Sequence, residues 1–173
     1  MKQQLGTMND FSPARCDPER DALIAEIYES IREVTRIGGV SWSESAAIDS
    51  YGAEEERCLA RRSDQETHWS QLVYDDRWQP GPGGTVGGFV FLDPIGFRYY
   101  LPATMIRCIY CLEDVGDVSR FLSVTSEPKV AEKALFTERQ SRAIARFLWY
   151  MAQQLEPSAC WLEPLECYWQ RHL

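Results

Sequence analysis

Histidine is scarce in this chain, with only His68 and His172 among 173 residues. That leaves little imidazole for a transition-metal site. Long apolar runs are missing too. The opening MKQQLGTMND holds no signal-type segment, and no later stretch is long and uncharged enough to cross a bilayer. The expectation is a cytoplasmic protein with no membrane partner. The formal net charge of −8 repels phosphate backbones, and no Lys/Arg cluster offsets it locally, so nucleic acid is not expected as a direct partner. The chain has no G-x-S-x-G elbow, and none of its cysteines sits in a recognised catalytic string. Gly81 to Gly88, GPGGTVGG, lacks the Lys-Ser/Thr pair of a phosphate loop and leads into a stretch that reads as strand. No cofactor is expected.

What is present suits one globular domain. Hydrophobic residues make up 45% and charged residues 25%, ordinary fractions for a chain long enough to bury a sizeable core. Residues 1–16 are polar and patternless and read as a loose tail. Asp17-Pro18 is an N-cap followed by an N1 proline, and Leu23, Ile27, Ile31 and Val34 then recur at helical spacing until Gly38-Gly39. Ser41-Trp42-Ser43-Glu44 and Thr137-Glu138-Arg139-Gln140 both have the capping-box form. The second opens a long amphipathic helix with Ile144, Phe147, Leu148, Met151 and Leu155 on one stripe. Glu54 to Arg62 reads as a solvated helix, acidic early and basic late. Asp64 to Tyr74 reads as a short helix with Trp69, Leu72 and Val73 inward, and Asp117 to Val124 fits a turn of helix or a short edge strand, with helix the expectation.

The centre of the chain reads as a β-hairpin. Asp93-Pro94-Ile95-Gly96 carries the residue types of a tight turn, and Phe89 to Leu92 and Phe97 to Tyr100 supply β-formers on either side. Leu101-Pro102 then ends the second strand, with a core helix opening at Pro102 and Arg107 pointing away from it. The fold class expected is α+β, a helix-rich single domain around this central hairpin, spanning residues 17–155. Residues 156–173 hold Trp161, Leu165 and Trp169, too apolar for a disordered end, and should dock on the domain.

The run from Phe91 to Ala103, FLDPIGFRYYLPA, together with Trp69 and the Thr137–Gln140 helix start, resembles an uncharacterised bacterial family filed as a domain of unknown function. The resemblance runs from about Asp17 to Leu155. It implies a small soluble bacterial protein and no known activity.

Candidate sites are few. Asp64, Glu66 and His68 could offer metal ligands, but the shortage of histidine favours a solvated helix. Cys108 and Cys111 form a C-x-x-C that Cys160 and Cys167 could complete only if the tail folds back. With six cysteines unevenly spaced, free buried thiols are the expectation, and no metal. Arg98 is the one charge in the hairpin, so it either forms a structural pair or helps bind an anion at the N-terminus of the Pro102 helix. Trp149, Trp161 and Trp169 form a candidate interaction patch.

These features favour a non-enzymatic protein-binding or accessory module whose partner is a basic protein, since summed negative charge steers cationic partners. A specific form is an immunity-type protein that neutralises a basic toxin. The rival class is an enzyme whose polar groups converge from distant positions. The sequence is silent on oligomeric state.

Overall fold

A computed structural model of the chain describes residues 17–78, 88–124 and 133–173. The 1–16 tail and all of the glycine-rich loop except Gly88 lie outside them. Among the described residues every regular element is helical and none is a strand. The α+β expectation is therefore corrected to an all-α fold.

The correction turns on Asp93 to Cys111. Asp93 is the N-cap of a helix, α4 (Pro94–Cys111), and its carboxylate accepts the Gly96 N–H at 2.8 Å with Pro94 in the first turn. An Asp-Pro pair suits this role as well as it suits a β-turn, because the first central residue of a type I turn already has helical dihedrals. Apolar residues on both faces of a ribbon look the same in sequence as apolar residues all round a buried helix. Here Phe97, Tyr99, Tyr100, Leu101, Met105, Ile106 and Ile109 are all buried. Pro102 does not open the helix but lies inside it, where it withholds a donor from the carbonyl of Arg98. Leu112, at φ 50°, ends it in the left-handed region.

The remaining elements surround α4. Helix α1 (Pro18–Ile31) is capped by Asp17, whose side chain accepts the Glu19 and Arg20 N–H groups. It stops short of the expected Ile37, although Val34 still packs into the core. Helices α2 (Trp42–Asp49) and α3 (Glu54–Ser63) pack on each other, and no residue of α3 is buried. The expected helix from Asp64 to Tyr74 is a single 3₁₀ turn, Trp69–Leu72, with Trp69, Leu72 and Val73 buried as their spacing indicated. Further such turns are Gly88–Val90, at the start of the expected first strand, and Val115–Asp117, which leads into α5 (Val118–Leu122).

Helix α6 (Glu138–Gln154) opens on the expected capping box. Thr137 Oγ1 accepts the Gln140 N–H at 3.3 Å, and Gln140 Oε1 accepts the Thr137 N–H at 3.1 Å. This helix packs on α1, on α7 (Ala159–Cys167) and on the closing turn Trp169–His172. Trp161 sets its ring edge-on to Phe147 with centroids 5.7 Å apart, and the Trp169 indole N–H donates to the Leu122 carbonyl at 2.8 Å. The C-terminal segment is thus part of the core. No helix among the described residues is long and apolar enough to cross a membrane.

Candidate functional site

A cleft of about 800 Å³ opens between the start of α2, the 64–66 segment, the Asp75–Trp78 turn and Tyr100 of α4. Asp64 is the C-cap of α3 and has extended dihedrals, which carries the chain away from the helix and past α2. Its carboxylate accepts both the N–H and the hydroxyl of Ser43, at 2.8 and 2.6 Å, and so satisfies an orphan amide in the first turn of α2. Arg36 lies behind this wall. Its guanidinium stands 3.6 Å from Asp64 and 3.6 Å from Glu66, donates to the Asp64 carbonyl at 3.2 Å, and sits over the rings of Tyr99 and Tyr100.

Tyr100 links the carboxylates to the aromatic floor. Its hydroxyl donates to Glu66 at 2.8 Å and accepts the backbone N–H of Trp42 at 3.0 Å. Burial, together with the neighbouring Glu66 charge, pushes the phenol far above its ordinary range, so it keeps its proton and acts as a hydrogen-bond donor rather than an acid. The Trp42 ring meets Trp78, Phe89 and Tyr100 edge-on, with centroids 5.2 to 5.4 Å apart.

The opposite wall is held by Arg107. Far from pointing outward, its side chain is buried, and it donates to the carbonyls of Val73, Asp75 and Trp78 at 3.1, 2.6 and 2.6 Å. A guanidinium in an apolar helix must find such partners, and the fork of five donors lets one residue hold three carbonyls. Asp75 is paired in turn with Arg77, whose side chain donates to it at 2.9 Å through both Nε and Nη2, and this bond holds the Asp75 carboxyl below its usual value. Asp64, Glu66 and Asp75 thus share one concave surface, with Arg77 the cation among its described lining residues.

The expected sites are placed elsewhere. Arg98 lies beyond the first turn of α4, half-buried, and its Nε is enclosed with no hydrogen-bond partner. The helix N-terminus it was expected to share does not exist at Pro102, and the one at Pro94 is filled by the Asp93 carboxylate. Trp161 and Trp169 are buried at 1% and 0% exposure, whereas Trp149 is 47% exposed, so the three do not gather on one surface. His68 is spent on structure. Its Nε2 meets the Arg32 carbonyl at 2.8 Å, which requires the proton there, leaving Nδ1 to accept the Ser70 N–H at 3.2 Å. Cys108 is buried and its thiol pushed well up by desolvation, while Cys111, Cys160 and Cys167 are exposed. Among the described residues no three metal-ligating side chains gather.

Residues 19–173 match Family of unknown function (DUF6714). The chain belongs to that family. The DUF6714 match extends past Leu155 to Leu173, so the C-terminal segment belongs to the family unit, as its packing into the core requires. All the DUF6714 cleft residues named above lie inside the matched span. No curated protein and no solved structure matches the chain.

Sequence reasoning noticed Asp64 and Glu66 only as metal ligands, and missed Arg36 and Tyr100 as their organisers and Arg107 as the holder of the opposite wall. One signal was present. Arg107 and Arg98 are the two charges in an otherwise uncharged helix, and a buried charge there needs partners that the helix itself cannot supply.

Proposed function

We propose that this chain is a non-enzymatic protein-binding module that receives a basic segment of another protein in the cleft. The observation that carries this reading is the convergence of Asp64, Glu66 and Asp75 on one cleft in a chain of net charge −8. An excess of one sign of charge in a cleft focuses the field and raises the encounter rate of opposite charge. The chemistry of the wall supports recognition rather than catalysis. Two of the carboxylates are tied to Arg36, the third to Arg77, and Tyr100 keeps its proton. An immunity-type role, with a basic toxin as the partner, is the specific form of this reading.

Calorimetric titration with decalysine tests it. Asp75→Asn should weaken binding severalfold, and Glu55→Gln, which removes the same charge from the start of α3, should change it less than twofold. Equal weakening by both would reduce the effect to net charge, and the lack of any saturable binding would sink the proposal.

A further inference from the structure

Trp78 is 6% exposed, lies on the wall of the cleft, and has a buried indole Nε1 with no hydrogen-bond partner. An indole nitrogen is a donor only, so the group that satisfies it must be an acceptor. Buried polar groups in native proteins are nearly always paired, and an orphan donor on a cleft wall marks a position for something the free chain lacks. Its placement relative to charge is fixed. Asp75 and Trp78 are the ends of one turn, closed by the Trp78 N–H to the Asp75 carbonyl at 3.0 Å, and Arg107 holds both of their carbonyls. The ring is further clamped, with Tyr100 stacked at 6.1 Å and the Arg107 guanidinium 5.0 Å from its centroid.

The cleft therefore pairs the Asp75 carboxylate, which the exposed Arg77 side chain also meets, with an unfilled hydrogen-bond donor at Trp78 at the other end of the same turn. A basic residue in a peptide has the matching chemistry, a cationic side chain next to a backbone carbonyl. We infer that the cleft binds a basic peptide through its main chain as well as its charge, with a peptide carbonyl accepting the Trp78 indole N–H while the adjacent cationic side chain meets Asp75. This rests on the proposed function and adds to it the class of segment bound and the atom that reads its backbone. A polyamine carries charge with no carbonyl and fills only half of the site. Because Nε1 is enclosed in the free chain, its engagement requires a small shift of the wall and must alter the surroundings of the indole.

The indole N–H resonance of Trp78 in the ¹⁵N-labelled full chain, assigned by its loss in Trp78→Phe, is followed while acetyl-Arg-Gly-Arg-Gly-Arg-amide or spermine is added. The pentapeptide should shift that resonance saturably and downfield, as a new acceptor does, whereas spermine should move it far less. Trp78→Phe should weaken the pentapeptide about fivefold, the loss of one net hydrogen bond, and leave spermine binding unchanged. Saturable pentapeptide binding that Asp75→Asn weakens, with the Trp78 resonance unmoved, would overturn this inference and leave the acidic-cleft reading standing. Failure of both probes to bind would overturn the two together. Through-bond assignment of the wild-type chain identifies the same resonance independently, so it decides the matter even if Trp78→Phe is poorly folded.

Discussion

The carboxylate of Asp93 accepts the backbone N–H of Val40 at 2.8 Å, tying the start of α4 to the residue that leads into α2. The same oxygen caps Gly96, so a single side chain fixes both the helix terminus and the approach of a distant segment to it. Asp93→Ala should cost about 2 kcal/mol, the loss of a cap plus one further hydrogen bond. Asp93→Asn, which keeps an acceptor oxygen, should recover more than half of this in urea denaturation. A change below about 0.5 kcal/mol for Asp93→Ala would mean that the tether contributes little.

Gly96 offers a test by sign. In an ordinary helix interior Gly→Ala stabilises by about 1 kcal/mol. Here an added Cβ would lie 2.3 Å from the Val40 carbonyl oxygen, a clash with backbone that Asp93 holds in place. Gly96→Ala should therefore destabilise by about 1 kcal/mol or more. A raised melting temperature would show that the two segments are not in contact.

Arg107 should be sensitive to both truncation and conservative replacement. Arg107→Met leaves the carbonyls of Val73, Asp75 and Trp78 without their donor and should cost about 3 kcal/mol or more. Arg107→Lys should restore less than half, because an ammonium cannot span three carbonyls as the planar fork does. Equal stability of the Arg107→Lys and wild-type chains in denaturant would contradict the three-carbonyl role.

Glu44 predicts a pH dependence. Burial pushes its carboxyl up, but the bonds from Arg61 and the Ser41 N–H outweigh this and hold it below its ordinary value of 4.5. A carboxylate depressed in the folded state contributes stability that is complete above its unfolded value and is lost as the pH falls through the folded one. Wild-type protein should therefore lose more stability than Glu44→Gln between about pH 6 and pH 3, since the other carboxylates titrate in both. Parallel urea midpoints for the two chains across that range would show that the pair adds nothing.

The tryptophans of the C-terminal half should divide by burial rather than by sequence position. Trp169→Ala removes a fully buried ring and leaves the Leu122 carbonyl without its donor, and should cost about 3–5 kcal/mol. Trp149→Ala, half exposed, should cost less than about 1 kcal/mol. Truncation after Glu156 takes Trp161, Leu165 and Trp169 out of the core at once, so the fragment should aggregate or fail to fold. A soluble truncated chain with unchanged melting would contradict the packing described here.

The local signals that proved legible are those whose chemistry is completed within a few residues. Asp17-Pro18, the Ser41–Glu44 box and the Thr137–Gln140 box each satisfy their own helix amides, and the helices begin there. The stripe of α6 was readable for the same reason, since one face buried against neighbours imposes a 3.6-residue period. Asp93-Pro94-Ile95-Gly96 was not decided locally. A β-turn and the first turn of a helix share dihedrals and residue preferences, and a helix buried all round has no period to set against a ribbon buried on both faces. What settles it is tertiary: the fit of Val40 against Gly96 and the closure of α1, α5, α6 and the Trp69–Leu72 turn around α4. The cleft is likewise beyond sequence pattern. Arg36 meets Asp64 across 28 positions and Tyr100 meets Glu66 across 34, distances at which no local periodicity operates and only the packed fold brings opposite charges and matching hydrogen-bond groups together.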